Sequence, residues 1–411
     1  MTDRTPLITP VLLAGCFIIL VSFAIRSAFG VFQIPIQEEF GWLRSDFSLA
    51  IAIQNLAWGL GAPIFGAIAE RFTDRKAILL GILVYAVGLL LSAVATTPGQ
   101  HNVLEMLVGF GIAGTGMGLI LAIVGRAASD ENRSMALAIA TAAGSGGQIF
   151  GPPVAELLLQ TLPLQTVFVL FAGAILTTLL TLPVLKAKPR DPNAPVSEPM
   201  GPAVARALKD PSFVLIFLGF FSCGYQLGFI TAHFPAFVTE LCGPIDPAGV
   251  LAGLGITTTS ALGAVSISLI GLANIVGVLA AGWAGKRYLK KNLLAGIYLA
   301  RTLVAAAFIM MPITPETVIL FSLAMGALWL ATIPLTSGLV GQLYGLKYMG
   351  TLYGVVFLSH QIGSFLGVWL GGRLYDVYGD YTLVWWIGVG VGLFSTLVHL
   401  PIRERAQPVP A

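Results

Sequence analysis

Twelve separate stretches of about twenty mostly apolar residues run along this chain, the length a helix needs to cross the hydrocarbon of a bilayer. They lie near 9–33, 46–69, 77–97, 102–125, 134–160 and 166–186, then near 212–239, 263–285, 292–312, 316–342, 347–372 and 380–401. No water is present at that depth to satisfy backbone N–H and C=O groups, so each stretch is expected to be an α-helix. The expected fold is an all-α membrane protein: twelve transmembrane helices in two six-helix bundles, 1–187 and 211–411. A polar, proline-rich linker over 188–210, without an apolar period, is expected to join them on the cytoplasmic side.

Composition agrees with that solvent. Only 10% of the 411 residues are charged and 56% are hydrophobic, whereas soluble domains carry about 25% charged residues. The 48 glycines suit helices that must approach closely without a hydrophobic force between them. Cys16, Cys223 and Cys242 are too few and too scattered for a disulfide framework or a zinc site. The first apolar stretch is too long for a cleavable signal peptide and lacks a small-residue cleavage site.

Orientation follows from lysine and arginine. With a cytoplasmic N-terminus, all but four of the 22 basic residues fall on the cytoplasmic side. Arg44 and Arg373 face out; Arg26 and Arg301 lie inside spans. This asymmetry predicts a multi-pass protein of the cell inner membrane with an even number of crossings and both termini cytoplasmic.

The loop after the second span, Gly66 to Lys76, reads GAIAERFTDRK; the loop after the eighth, Gly282 to Asn292, reads GWAGKRYLKKN. Both follow Gly-x-x-x-(Glu or Lys)-Arg-aromatic and then a basic cluster, so that Gly66 matches Gly282, Arg71 matches Arg287 and Phe72 matches Tyr288 at one constant offset. Such a repeat is expected of two halves related by an axis along the membrane normal. Gly66, Glu70, Arg71, Arg75 and Lys76 resemble the short cytoplasmic loop motif of the major facilitator superfamily. The resemblance implies a fold of two bundles related by pseudo-twofold symmetry and a charged latch between helix ends. The family pattern has Asp at Glu70 and Gly at Thr73, and in the second copy, with Gly282 and Arg287, the acidic position has become Lys286. Within that superfamily GVFQIPIQEEFGW, Gly30 to Trp42, resembles the monocarboxylate transporter branch and its bacterial relatives.

Ionisable groups inside spans are expensive and are candidate functional sites. Arg26 matches the position where monocarboxylate transporters keep a cation in their first helix, and it shares a face with Ser22 and Gln33. A guanidinium there can grip a carboxylate by two parallel hydrogen bonds. In the seventh span Gln226 and His233 lie seven residues apart on one face, and Pro235 is expected to break the helix. His360 and Gln361 in span 11, Trp329 in span 10, and Gln54 and Asn55 in span 2 complete the expected substrate-binding set, with Asn274 of span 8. Arg301 needs an acceptor that the sequence does not identify.

The resemblance fails at one informative place. Monocarboxylate-type relatives carry an arginine in span 8 four residues before the loop glycine, with an aspartate four before it; Val278 and Asn274 stand there. All nineteen acidic residues are expected in loops or near span ends, Glu105 and Glu156 deepest, with His101 and His399 also at span ends. Only His233 and His360 are then placed to carry a proton, and otherwise the expected protein is a uniporter.

A secondary transporter using alternating access explains the repeat and the mid-membrane polar groups. The solute expected is amphipathic or heteroaromatic, such as the flavin-like vitamin riboflavin, with a proton-coupled monocarboxylate symporter as the alternative. No HExxH, GxSxG or Walker motif is present, so neither an enzyme nor an ATP-driven pump is expected. The expected partners are a small-molecule substrate, the lipid bilayer and, as a candidate, protons. No cofactor, metal or nucleic acid is expected, and the chain is expected to be a monomer. The charge asymmetry predicts that an impermeant maleimide labels Gly99→Cys from outside the cell and Thr73→Cys only in inverted vesicles. The opposite pattern reverses the orientation.

Overall fold

The computed structural model describes residues 6–129, 132–185, 200–344 and 349–404, and the chain divides into two compact units, Met1–Pro192 and Asn193–Ala411. In the first unit α1 (Pro10–Ala28) tightens into a 3-10 turn (Phe29–Phe32) and continues as α2 (Gln33–Phe40). There follow α3 (Arg44–Arg71), α4 (Asp74–Ser92), α5 (Pro98–Thr115), α6 (Met117–Ala127), α7 (Arg133–Leu159) and α8 (Leu164–Thr177), which runs into a 3-10 segment (Thr178–Val184). The second unit opens with α9 (Met200–Lys209) and α10 (Pro211–Leu241), then a short α11 (Val250–Gly253) and α12 (Thr259–Ala284). It ends with α13 (Lys290–Met310), α14 (Pro315–Leu328), α15 (Thr332–Tyr344), α16 (Met349–Tyr378) and α17 (Thr382–His399).

Among the described residues eleven helical runs are long and apolar enough to cross a membrane. The twelfth is α7, whose glycines, Ser145, Gln148, Pro152 and Pro153 dilute its apolar character. Those same glycines bring it against α1. A Cβ on Gly147 or Gly151 would run into the backbone of Leu20 or Ala24, so the two helices touch through bare backbone. Outward faces carry aliphatic side chains, as on α4, where Leu79, Leu83, Val87 and Leu90 are exposed. This is the surface a hydrocarbon solvent requires.

The repeat extends from sequence into contacts. Gly363 and Gly367 of α16 stand at the offset of the loop motif from Gly147 and Gly151, and they meet the backbone of Phe221 and Tyr225 in α10. Gly109 of α5 packs on the Gln54 carbonyl of α3, and Gly326 of α14 packs on the carbonyl of Ile270 in α12, the repeat counterpart of Gln54. In each unit, then, the same close helix pairs form, with the α3–α5 and α12–α14 glycines one residue apart in register.

Helix starts follow from capping. Thr9, Thr73, Thr97, Thr258 and Thr314 are extended residues whose hydroxyls accept from backbone N–H groups of the first turn. Thr73 stands where the family pattern has glycine. Its φ of −160° needs no glycine, and its hydroxyl accepts from Lys76 N at 3.2 Å.

Two expectations are corrected. α10 runs through Pro235 without a break, because Gly263 of α12 packs directly on the Pro235 backbone and holds the helix in place. The breaks fall elsewhere, at Gly116 between α5 and α6 and at Trp329–Ala331 between α14 and α15. The expected linker is helical over Met200–Lys209; Ala207 is buried and Val204 packs on the core of the second unit, a 3.6-residue stripe masked by the flanking prolines. Residues 188–199 of that linker lie outside the described residues.

Tight backbone contact at these glycines predicts that Gly151→Val or Gly367→Val lowers stability by about 1–3 kcal/mol or more through overpacking. Thermal melting in detergent should show the drop. Gly173→Val, at a site with nothing within 4 Å of an added Cβ, should melt like the parent; equal melting of all three would refute the contact.

Candidate functional site

Arg26 lies sixteen residues along α1 from Pro10, roughly 24 Å of helix at 1.5 Å per residue, where a guanidinium is costly to bury. One N–H, on Nη2, donates to Asn55 Oδ1 at 3.2 Å. The guanidinium lies 4.7 Å from the Trp58 ring centroid and 6.0 Å from that of Phe23, which gives a cation–π attraction. Its Nε is buried without a hydrogen-bond partner, and no carboxylate pairs with it among the described residues. Asn55 is held in turn by donating to Ile51 O at 2.9 Å. Of the expected set, Arg26 and Asn55 are therefore brought together, with Trp58 added. Gln33 is fully buried near the end of the same span. Gln54, one residue before Asn55, points the other way on α3 and donates to Glu105 Oε2 at 2.6 Å.

In the second unit most of the expected polar residues are tied to the protein itself. His233 Nε2 lies 2.8 Å from Val368 O and Nδ1 3.2 Å from Tyr381 Oη. A carbonyl only accepts, so Nε2 carries a proton. Gln226 donates to Gly388 O at 3.2 Å, and its Oε1 is buried without a partner. His360 Nδ1 lies 3.1 Å from Gln361 Oε1, and its ring stacks on Phe357. Gln361 Nε2 and Ser364 Oγ are buried and unpartnered nearby on α16.

Asn274, Trp329 and Arg301 meet at the break in span 10. Helix α14 stops at Leu328, which leaves the Trp329 carbonyl and the Leu330 N–H outside the regular helix ladder. Asn274 Oδ1 accepts from Leu330 N at 2.9 Å, and Arg301 Nη2 donates to Trp329 O. The acceptor that Arg301 required is thus a backbone carbonyl, freed by a break that its sequence shows only as a loss of apolar run. Arg301 is completely buried, with Nε and Nη1 unpartnered. The Trp329 side chain is itself buried in the core of this unit.

At the loop motif, Arg75 donates from Nε to Leu185 O at 3.1 Å and from Nη2 to Pro183 O, closing the carbonyl end of the last span of its unit. Its repeat partner Lys291 donates to Leu400 O at 2.9 Å at the end of α17. Asp74 pairs with Arg126 at 2.7 Å; at the equivalent positions of the second unit, Lys290 donates to Gln342 at 2.8 Å. Among the described residues the ion pair at this loop uses Asp74; the side chains of Glu70 and Arg71 lie outside the described residues. Lys76 lies over Phe72 and Arg287 over Trp283. Gly66 and Gly282 meet nothing within 4 Å of an added Cβ.

Burial at two separate places, one in each unit, was not expected from the sequence. His101, Glu105 and His399, read as span-end residues, are buried at 2%, 0% and 0% exposure. His101 is packed among Trp42, Phe47 and Phe168, and its Nε2 lies 3.7 Å from Glu105 Oε1. His399 stacks on Tyr298 and lies 2.7 Å from Ser395 O through Nδ1. The signal available was the i, i+4 spacing of His101 and Glu105 beside a Gln at the facing depth of α3. What hid it was their nearness to Pro98.

Residues 15–368 match the model of the Major Facilitator Superfamily. Among similar proteins, an uncharacterised MFS-type transporter, YcxA of Bacillus subtilis, is 24% identical over 402 residues, covering 93% of this chain and 92% of that protein. Monocarboxylate transporter 13 of Bos taurus is 25% identical, with 95% and 89% covered. Solved structures share the fold: a nucleoside transporter, NupG, at TM-score 0.76 and 15% identity, covering 95% of this chain and 99% of that one. A D-xylose–proton symporter matches at TM-score 0.71 and 14% identity, covering 97% and 99%. From the geometry of the break, Asn274→Ala should cost about 1–3 kcal/mol by leaving the Leu330 N–H unsatisfied, seen as a lower melting temperature in detergent. An unchanged melt would show that the N–H has another acceptor.

Proposed function

Because the chain belongs to the major facilitator superfamily, its cargo is the open question, and we propose that this secondary transporter carries a small organic anion of the monocarboxylate class. The observation that supports this reading is Arg26, a cation at span depth whose hydrogen-bonding partner is a neutral amide and whose Nε has no partner. A carboxylate arriving there gains two charge-assisted hydrogen bonds and meets aromatic faces that exclude water. Asn55 orients the guanidinium, and Trp58 holds it by its face. The monocarboxylate transporters among the relatives make the same chemical class the economical choice.

The span-8 cation of the monocarboxylate branch has no counterpart at Val278, and Asn274 serves the backbone at Leu330. In our reading Arg26 therefore carries the anion recognition. Gln33 on its span, with Gln226, His360 and Gln361 of the second unit, belongs to the proposed set of polar residues that sort solutes. The flavin-like solute has no support in the relatives described above, and the rings beside Arg26 already serve the guanidinium, so it is not retained. Basic-residue asymmetry supports an inner-membrane orientation with both termini cytoplasmic, and the proposed working unit is a monomer of two bundles, 1–187 and 211–411.

Proteoliposomes loaded with unlabelled lactate should exchange it for radiolabelled lactate. Arg26→Ala should lower that exchange by about tenfold or more, the loss expected from one or two charge-assisted bonds. Arg26→Lys should restore it only in part, because a point charge lacks the planar fork. Exchange of riboflavin without lactate, or undiminished lactate exchange in Arg26→Ala, would overturn the proposal.

A further inference from the structure

We propose that His101 and Glu105 form a proton-binding site in the first unit, coupled to Arg26, which makes anion transport a proton symport; the coupling rests on the anion-carrier reading above. Glu105 is completely buried. Its Oε2 accepts from the neutral amide of Gln54, and its Oε1 has no hydrogen-bond partner. No lysine or arginine pairs with it among the described residues. The only titratable group beside it on its own helix is His101, whose Nε2 is also without a hydrogen-bond partner and faces Oε1 at 3.7 Å. An ionised carboxylate so placed has no adequate counter-charge. One proton taken up from water neutralises it and lets the two facing atoms share a hydrogen bond.

The surroundings supply a way in and a way to pass the charge on. His101 lines a small cleft with Ile36, Phe40, Trp42, Gln165 and Phe168, at the end of the bundle opposite the Thr73 turn. That is the outer end in the orientation proposed. From α4, the Tyr85 hydroxyl donates to Ser22 O at 3.3 Å, on α1 one helical turn before Arg26. From α3 the facing group is Gln54, the direct neighbour of the Asn55 that holds Arg26; α8 presents the Phe168 ring. While Glu105 is ionised, its field acts on Arg26 through this low-dielectric interior and competes with an incoming anion. Once it is protonated, the attraction of Arg26 is left to the substrate. Proton and anion then bind as a neutral pair, which is the condition for symport.

Two measurements on the full-length protein separate this proposal from the anion-carrier reading. Infrared titration of the purified protein in detergent should show a carboxylic-acid C=O band that changes with pH. Glu105→Gln should lack it and His101→Gln should shift its midpoint. In proteoliposomes an imposed pH gradient should concentrate radiolabelled lactate about tenfold per pH unit, as for one proton per anion. Glu105→Gln should lose that accumulation yet keep lactate exchange at zero gradient. Gradient-driven accumulation by Glu105→Gln, or a band that survives the substitution, would overturn the proton site. Absence of lactate exchange in the parent protein would sink the cargo reading alone and leave the infrared result to decide the site. If Glu105→Gln does not fold, Glu105→Asp should still move the midpoint of the band; a midpoint that stays put overturns the proposal.

Discussion

Where α14 ends, a backbone carbonyl and a backbone N–H are exposed at a depth with no water, and Arg301 and Asn274 reach in from neighbouring helices to bond them. That demand, that every polar group at membrane depth find a partner within the protein, explains more of this molecule than any other constraint. It accounts for helix starts built on threonine caps, for the basic side chains that close the last carbonyls of each unit, and for the tie of His233 to Val368 and Tyr381. It also gives meaning to the few groups left open, because each is a departure from a rule the rest of the chain obeys.

The two units meet that demand with one plan used twice. Glycines at equivalent positions, Gly147 and Gly363 or Gly151 and Gly367, bring the same helix pairs together, and Arg75 and Lys291 close equivalent span ends. The chemistry placed on the plan differs. Asp74 and Arg126 form an ion pair, whereas their counterparts Lys290 and Gln342 form a single hydrogen bond. Trp58 and Asn274 also occupy equivalent positions. Trp58 faces Arg26 and lies near Gly116 at the break in span 4, and Asn274 bonds the break in span 10. Tyr85 and Arg301 correspond in the same way. The first unit thus holds a cation beside an aromatic face and a buried carboxyl, and the second holds its arginine against its own backbone.

In the function proposed here, this asymmetry ties structure to transport. A carrier must bind its cargo firmly enough to select it and then release it, and a cation braced by neutral and aromatic neighbours retains its charge for a ligand. A cation paired with a carboxylate would not. Arg26 is braced in that way, and Arg301, with its carbonyl acceptor, is built into the fold.

How far the sequence could be read depended on range. Span number, the repeat and the family resemblance are local or periodic properties, set by hydrocarbon thickness and helix spacing, so each was legible residue by residue. Arg26 was legible for the same reason, since an arginine inside an apolar run signals itself. The partners were not. Glu105 and His101 lie one or two turns from Pro98 and read as terminal, yet Trp42, Phe47 and Phe168 close over them; Gln54 turns to that carboxyl while its neighbour Asn55 turns to Arg26. The break at Trp329 and the continuity of α10 at Pro235 depend on what a neighbouring helix offers. The sequence alone determined which segments enter the membrane, because that is a contest between each segment and its solvent. Only the tertiary structure decided which polar groups are spent on one another, because that depends on which faces of distant helices meet.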